Sequence, residues 1–214
     1  MLSAFSWPIS VPSSLRLPAP VNRGVGRHEM GYSIAWIATR GIPLDQALIA
    51  AGLSSTSTLA EFASKPFTGQ AMRHGWYLLV AKGCDSPLIA SKVLAELSTS
   101  GEVIACAIEE HVMFSSAEFW QGGHRIWKVA HSSDKGIRHL SSSGAPPASF
   151  QDIVAEANRL QEQDSEVDYF FDVPLTLASK LCGFKHDEAR DGLNPEQFLV
   201  YTKGQGHKKW WQFW

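Results

Sequence analysis

Glu109, Glu110, His111, Ser115 and Ser116 fall within eight consecutive residues of the stretch CAIEEHVMFSSAEFWQGGHRIWKV (106–129). A carboxylate can orient an imidazole as a general base, and such a base can activate a serine hydroxyl for acyl transfer. Glu109, His111 and either Ser115 or Ser116 are therefore the catalytic candidates. No G-x-S-x-G elbow accompanies them. A plainer reading comes from alternation. Period two over 102–111 puts Val103, Ala105, Ala107, Glu109 and His111 on one face and Ile104, Cys106, Ile108 and Glu110 on the other. Each face is apolar until its end, as in a buried strand that emerges into solvent near Glu109.

A second group suits binding rather than catalysis. EFWQGGHRIW sets Glu118, Trp120, Arg125 and Trp127 around a tight turn. If the aromatics were exposed, this Trp–Arg ridge would suit a protein partner, because Trp and Arg dominate binding hot spots. The competing reading makes the tryptophans core, as most aromatics on strands are.

Metal and cofactor chemistry finds little support. H-E-x-x-H is absent, and AIEEH has Ala107 where H-x-x-E-H needs its first histidine. His124, His131 and His139 lie on or beside one hairpin, but alternation turns His124 and His131 to opposite faces, which makes hydrated surface histidines the better reading. GFKHDEARD (183–191) reads as a solvated loop. RGVGRHE is no dinucleotide fingerprint, and no phosphate-binding loop motif occurs. No metal ligands and no cofactor are expected. The cysteines, Cys84, Cys106 and Cys182, are odd in number and far apart, which fits a reducing compartment rather than a disulfide framework.

The elements that must position these groups are legible in outline. YSIAWIAT (32–39), GWYLLVAKG (75–83) and EVIACAIEE (102–110) read as strands. HRIWKVAH (124–131) and GIRHLSS (136–142) read as a hairpin around SSDKG. Helices are expected over IPLDQALIAAGL, over SPLIASKVLAEL with Ser86 as cap, over SFQDIVAEANRLQEQ and over DVPLTLASKLCG, which Gly183 ends. Residues 54–73 read as loop, and EQFLVYT (196–202) as a last strand. Without regular strand–helix alternation, the pattern predicts a single α+β domain over 30–202, with helices packed on a mostly antiparallel sheet.

The ends differ from the middle. Residues 1–29 contain four prolines, five serines and three arginines, and no acid before Glu29. They read as a disordered extension, a transit peptide, or sequence upstream of a start at Met30. Residues 203–214 form a basic, aromatic tail that could touch a membrane surface weakly. The whole chain carries a formal charge of -2, but 30–201 holds 13 basic and 20 acidic residues, near -7. That balance argues against nucleic acid. No apolar run reaches the roughly 18 residues of a membrane-spanning helix. A cytoplasmic protein is expected.

MGYSIAWIATRG, EVIACAIEEHVMFSSAEFW, HRIWKVAH and VDYFFDVPLTLASKLCGFKHDE together resemble a group of small bacterial proteins of uncharacterised function. In size and acidity these resemble the immunity proteins that bacteria make against their own secreted toxins. The resemblance implies a bacterial protein-binding domain without catalysis. The alternative is a small hydrolase or transferase with its site at Glu109 and His111.

Overall fold

The computed structural model describes residues 31–188 and 192–204; the expectations for 1–29, for a start at Met30 and for the tail beyond Gly204 lie outside them. Among the described residues nine strands form one sheet: β1 Ser33–Arg40, β2 Leu53–Ala60, β3 Phe67–Ala71, β4 Trp76–Lys82, β5 Glu102–Glu109, β6 Phe114–Gln121, β7 His124–Ser132, β8 Ser141–Gly144 and β9 Phe198–Lys203. Their order across the sheet is β2-β9-β3-β4-β1-β5-β6-β7-β8, and every pairing is antiparallel. Four helices accompany them: α1 Leu44–Ala50, α2 Ser91–Leu97, α3 Ser149–Gln163 and α4 Asp172–Cys182. The α+β class and the antiparallel sheet agree with the sequence pattern.

Both faces of the sheet are covered, which explains why β1, β4 and β5 are apolar on both sides. One face packs Ile34, Trp36, Leu78, Ile104, Cys106 and Ile108 under α3 and α4, with Phe170, Phe171 and Leu177. The other packs Ile37, Leu79, Val103 and Ala105 under α1 and α2, with Leu48, Leu94 and Leu97. At about 25 cal/mol per Å² of apolar surface, these two layers are the main source of stability.

Several local expectations change. Residues 54–73 are not simply loop, since they contain β2 and β3. The serines and threonines of β2 give no apolar alternation because β2 is an edge strand whose side chains are mostly exposed. The segment after Ser86 is not one helix. Pro87–Ile89 forms a 3-10 turn, Ala90 is extended at ψ 136°, and α2 starts at Ser91. Ser86 still accepts a hydrogen bond from the Leu88 amide (3.3 Å). The partner expected for β7 begins late, because 133–135 is a 3-10 turn and β8 starts only at Ser141. The tight hairpin is instead β6–β7, turned by Gly122 and Gly123, both with positive φ. Finally, β9 runs through Lys203, and the Gly204 amide bonds the Gly52 carbonyl (2.9 Å), so the tail cannot begin at 203.

Candidate functional site

The polar residues collect at one end of the central strands. β5 stops at Glu109, and Glu110–Val112 turns as a 3-10 helix that ends on Met113 in the left-handed region (φ 48°). His111 thus stands on a turn rather than on the strand. Glu109 is the last residue of β5 and Glu110 the first of the turn, and the two serve different histidines.

On the α1/α2 face, Glu109 lies across from Ser33 of β1 and accepts its hydroxyl. Its other oxygen meets His111 Nδ1 at 2.6 Å. Cys84, just after β4, joins the same cluster through Ser33 and Glu109. The Ser33 hydroxyl, then His111, hold the Glu109 carboxyl below its ordinary range. Burial, then the Glu109 charge, push the Cys84 thiol above its own. The pair of Glu109 and His111 has the geometry of an oriented base. The hydroxyl beside it donates to the carboxylate, however, and the thiol beside it is kept protonated, so neither is an activated nucleophile.

The serines expected to complete that base lie elsewhere. Ser115 pairs with Ile108 and His131, which places it on the opposite face from Glu109. Its hydroxyl donates to the Phe171 carbonyl at 2.6 Å. Ser116 shares the Glu109 face but is buried between Ala107 and Ala130. The structure brings Glu109 and His111 together and leaves both serines in the sheet interior.

Ser115 belongs to a different polar group. His131, 0% exposed, donates from Nδ1 to the His139 carbonyl (2.8 Å), and its Nε2 meets Asp168 Oδ2 at 2.9 Å. Asp168 Oδ1 accepts the Phe171 amide (3.1 Å) at the entry to α4. A serine, a histidine and an aspartate are therefore neighbours, but both ring nitrogens are used and the ring has no exposed surface. This group ties β7 to the start of α4. His131 is a core histidine, contrary to the surface position expected for it.

The binding ridge does not form as expected. A bulge at Ile126 pairs Trp120 with Arg125 and Phe119 with Trp127. The extra residue turns Trp127 to the α3/α4 face and leaves Arg125 beside Trp120 on the other. Trp127 is 2% exposed and Trp120 7%, so both are core. Glu118 accepts the Trp120 indole N–H (2.9 Å) and the Lys128 ammonium (2.7 Å), while the Arg125 guanidinium lies 5.9 Å from the Trp120 ring. Gly144 is required nearby, because a Cβ there would stand 2.1 Å from the Ile126 carbonyl oxygen.

The residues that sequence reasoning missed lie on the α3/α4 side of the same strand ends. Glu110 accepts the Tyr32 amide (2.7 Å), and its Oε1 lies 2.8 Å from His186 Nε2. The His186 side chain is 1% exposed, and its Nδ1 has no hydrogen-bond partner. The Tyr32 ring meets it edge-on at 5.3 Å. Lys185 is also buried, 3.0 Å from Asp172 and 3.3 Å from Asp187. Burial alone would lower its ammonium, but Asp172 and Asp187 outweigh it and hold the group above its ordinary value. GFKHDE is therefore not a solvated loop. The signal was present in Phe184 and His186 straight after a helix end, but only the fold shows that both turn inward.

Here a cleft of about 580 Å³ opens between Tyr32, Phe62, Phe184, His186 and Phe198, rimmed by Glu61, Asp187, Glu188 and Glu196. No lysine or arginine lines it among the described residues. Among the described residues no three His, Cys, Asp or Glu side chains gather as metal ligands, and no helix is long and apolar enough to cross a membrane. Compared with known protein families, curated proteins and solved structures, the chain matches none.

Proposed function

We propose that this chain is a protein-binding domain of the immunity type, which docks a basic segment of its partner at the acidic end of the central strands. The observation that carries this reading is the cleft: aromatic rings inside, carboxylates at the rim and no cation lining it among the described residues. The excess of acidic residues over 30–201 supports it, since opposite potentials steer partners together and fix their register. The site of recognition thus moves from Trp120 and Trp127, which are core, to the opposite end of the sheet. A bacterial, cytoplasmic setting belongs to the same proposal.

The test is affinity purification of the chain from its native host, beside a variant with both Glu61→Lys and Glu196→Lys. Both residues are exposed, so the fold should persist. A stoichiometric partner held by the wild type, released by the double reversal and weakened by salt supports the proposal. A partner held equally by both proteins, or no partner at all, overturns it.

The 2.6 Å contact of Glu109 and His111 favours a second reading, a small hydrolase or transferase. In that case any turnover measured for the wild type should vanish in His111→Ala with little loss of stability. Weak membrane-surface contact by the tail is a separate proposal. It fails if deleting 205–214 leaves localisation unchanged.

A further inference from the structure

We infer that the cleft receives the guanidinium group of an arginine rather than a lysine ammonium, an inference that rests on the protein-binding reading above. The cleft is lined by a buried histidine, His186. Glu110 Oε1 lies 2.8 Å from His186 Nε2. A carboxylate oxygen accepts, so Nε2 carries a proton, and we take the ring as the neutral tautomer with Nδ1 as its lone pair. That nitrogen is buried without a hydrogen-bond partner, and Asp187 Oδ1, 3.8 Å away, is another acceptor. A buried acceptor left unmade is an unfavourable feature that an incoming donor would relieve.

The surroundings select the donor. Glu61 and Glu196 at the rim call for a cation, beside Asp187, which already pairs with Lys185. The walls are rings: Phe62 lies 6.0 Å from Tyr32, 5.9 Å from Phe184 and 5.4 Å from Phe198, centre to centre. A guanidinium is flat, stacks on aromatic faces, sheds water readily and spreads five donors in one plane. It can face a ring and reach a carboxylate at the rim, with further N–H groups left to turn toward the buried Nδ1. An ammonium is compact and strongly hydrated, and it would lose its water against the phenyl rings with fewer bonds in return.

The experiment titrates the isotope-labelled full chain with N-acetyl-arginine amide and, separately, with N-acetyl-lysine amide, following amide shifts at Tyr32, Phe62 and His186. The arginine probe should bind about tenfold more tightly, the equivalent of one charge-assisted hydrogen bond. His186→Phe should bring the two probes to parity. If that variant does not fold, Tyr32→Ala, at an exposed ring, should weaken the arginine probe more than the lysine probe. Equal affinities for the two probes, or a preference undiminished in the folded variant, overturn the guanidinium assignment and leave the acidic docking surface standing. Perturbation of none of these residues by either probe overturns it as well. Loss of the docking surface itself is read separately, from the Glu61 and Glu196 reversals.

Discussion

His131 and His186 are both buried imidazoles whose Nε2 meets a carboxylate, at 2.9 Å from Asp168 and 2.8 Å from Glu110. They differ at the other nitrogen. His131 Nδ1 donates to the His139 carbonyl, whereas His186 Nδ1 has no partner and its ring lines a cleft. The first region is closed: Ser115 bonds the Phe171 carbonyl, His131 the His139 carbonyl and Asp168, and Asp168 the Phe171 amide, although the neighbouring His139 Nδ1 is itself buried without a partner. The second has unused hydrogen-bonding capacity beside open volume. Residue identity alone would have ranked them the other way, because Ser115, His131 and Asp168 are the types found in a hydrolytic triad. What separates a structural pin from a binding site here is open volume beside the unpartnered nitrogen, which His186 has in its cleft.

The contrast can be broken by substitution. The largest effect is expected for His131→Ala, which strips the partner from a buried carboxylate. Urea unfolding should show a loss of about 3–5 kcal/mol, and the probe titration at the cleft should be unchanged if the protein is folded. A loss near zero would show that the network is not the pin described. Ser115→Ala leaves the Phe171 carbonyl without its donor, and a smaller loss of about 1 kcal/mol is expected in the same assay. His186→Phe should shift stability by less than about 1 kcal/mol, because loss of the Nε2 bond to a partly hydrated Glu110 is offset by removal of the unpartnered Nδ1. A loss as large as that of His131→Ala would make the two regions alike and remove the reason to treat His186 as a site.

The smallest effect concerns the exposed pair. Glu109 is held below its ordinary carboxyl range by Ser33 and His111, so its folded value lies below its unfolded one. Its contribution is complete above the ordinary carboxylate range and is lost as pH falls through its lowered value. Glu109→Gln should therefore flatten the acid limb of the stability curve by lowering stability slightly at neutral pH, with the two proteins converging below the lowered value of Glu109. The same substitution removes the charge that, after burial, keeps the Cys84 thiol protonated. Alkylation of Cys84 at pH 8 should then be faster than in the wild type, while Cys106 and Cys182 stay protected by burial. An unaltered rate would detach Cys84 from the Glu109 cluster.

Much of the fold was legible because its signals are local. The apolar runs of β1, β4 and β5, the 3–4 spacing of α3 and α4 and the stop at Gly183 all follow from periodicity and backbone preference within one segment. So did the split of β5 into two apolar faces, which places Ile104, Cys106 and Ile108 under α3 and α4 and Val103 and Ala105 under α1 and α2. Edge strands were not legible. The serines of β2 and β8 carry no alternation because nothing packs on most of them.

The candidate site was half visible. The chain determined by itself that Glu109 and His111 would sit together at a strand end, since two residues apart on a turning backbone keeps them close. Only tertiary structure decided which groups they meet. Glu109 finds Ser33 across 76 residues of chain, and Glu110 finds His186 across another 76. One bulge at Ile126 sends Trp127 to the opposite face from Arg125, undoing the ridge expected around the tight turn. Local pattern specifies which way a side chain points within its own strand. What it points at depends on strand order and register, which come from packing both faces of the whole sheet at once.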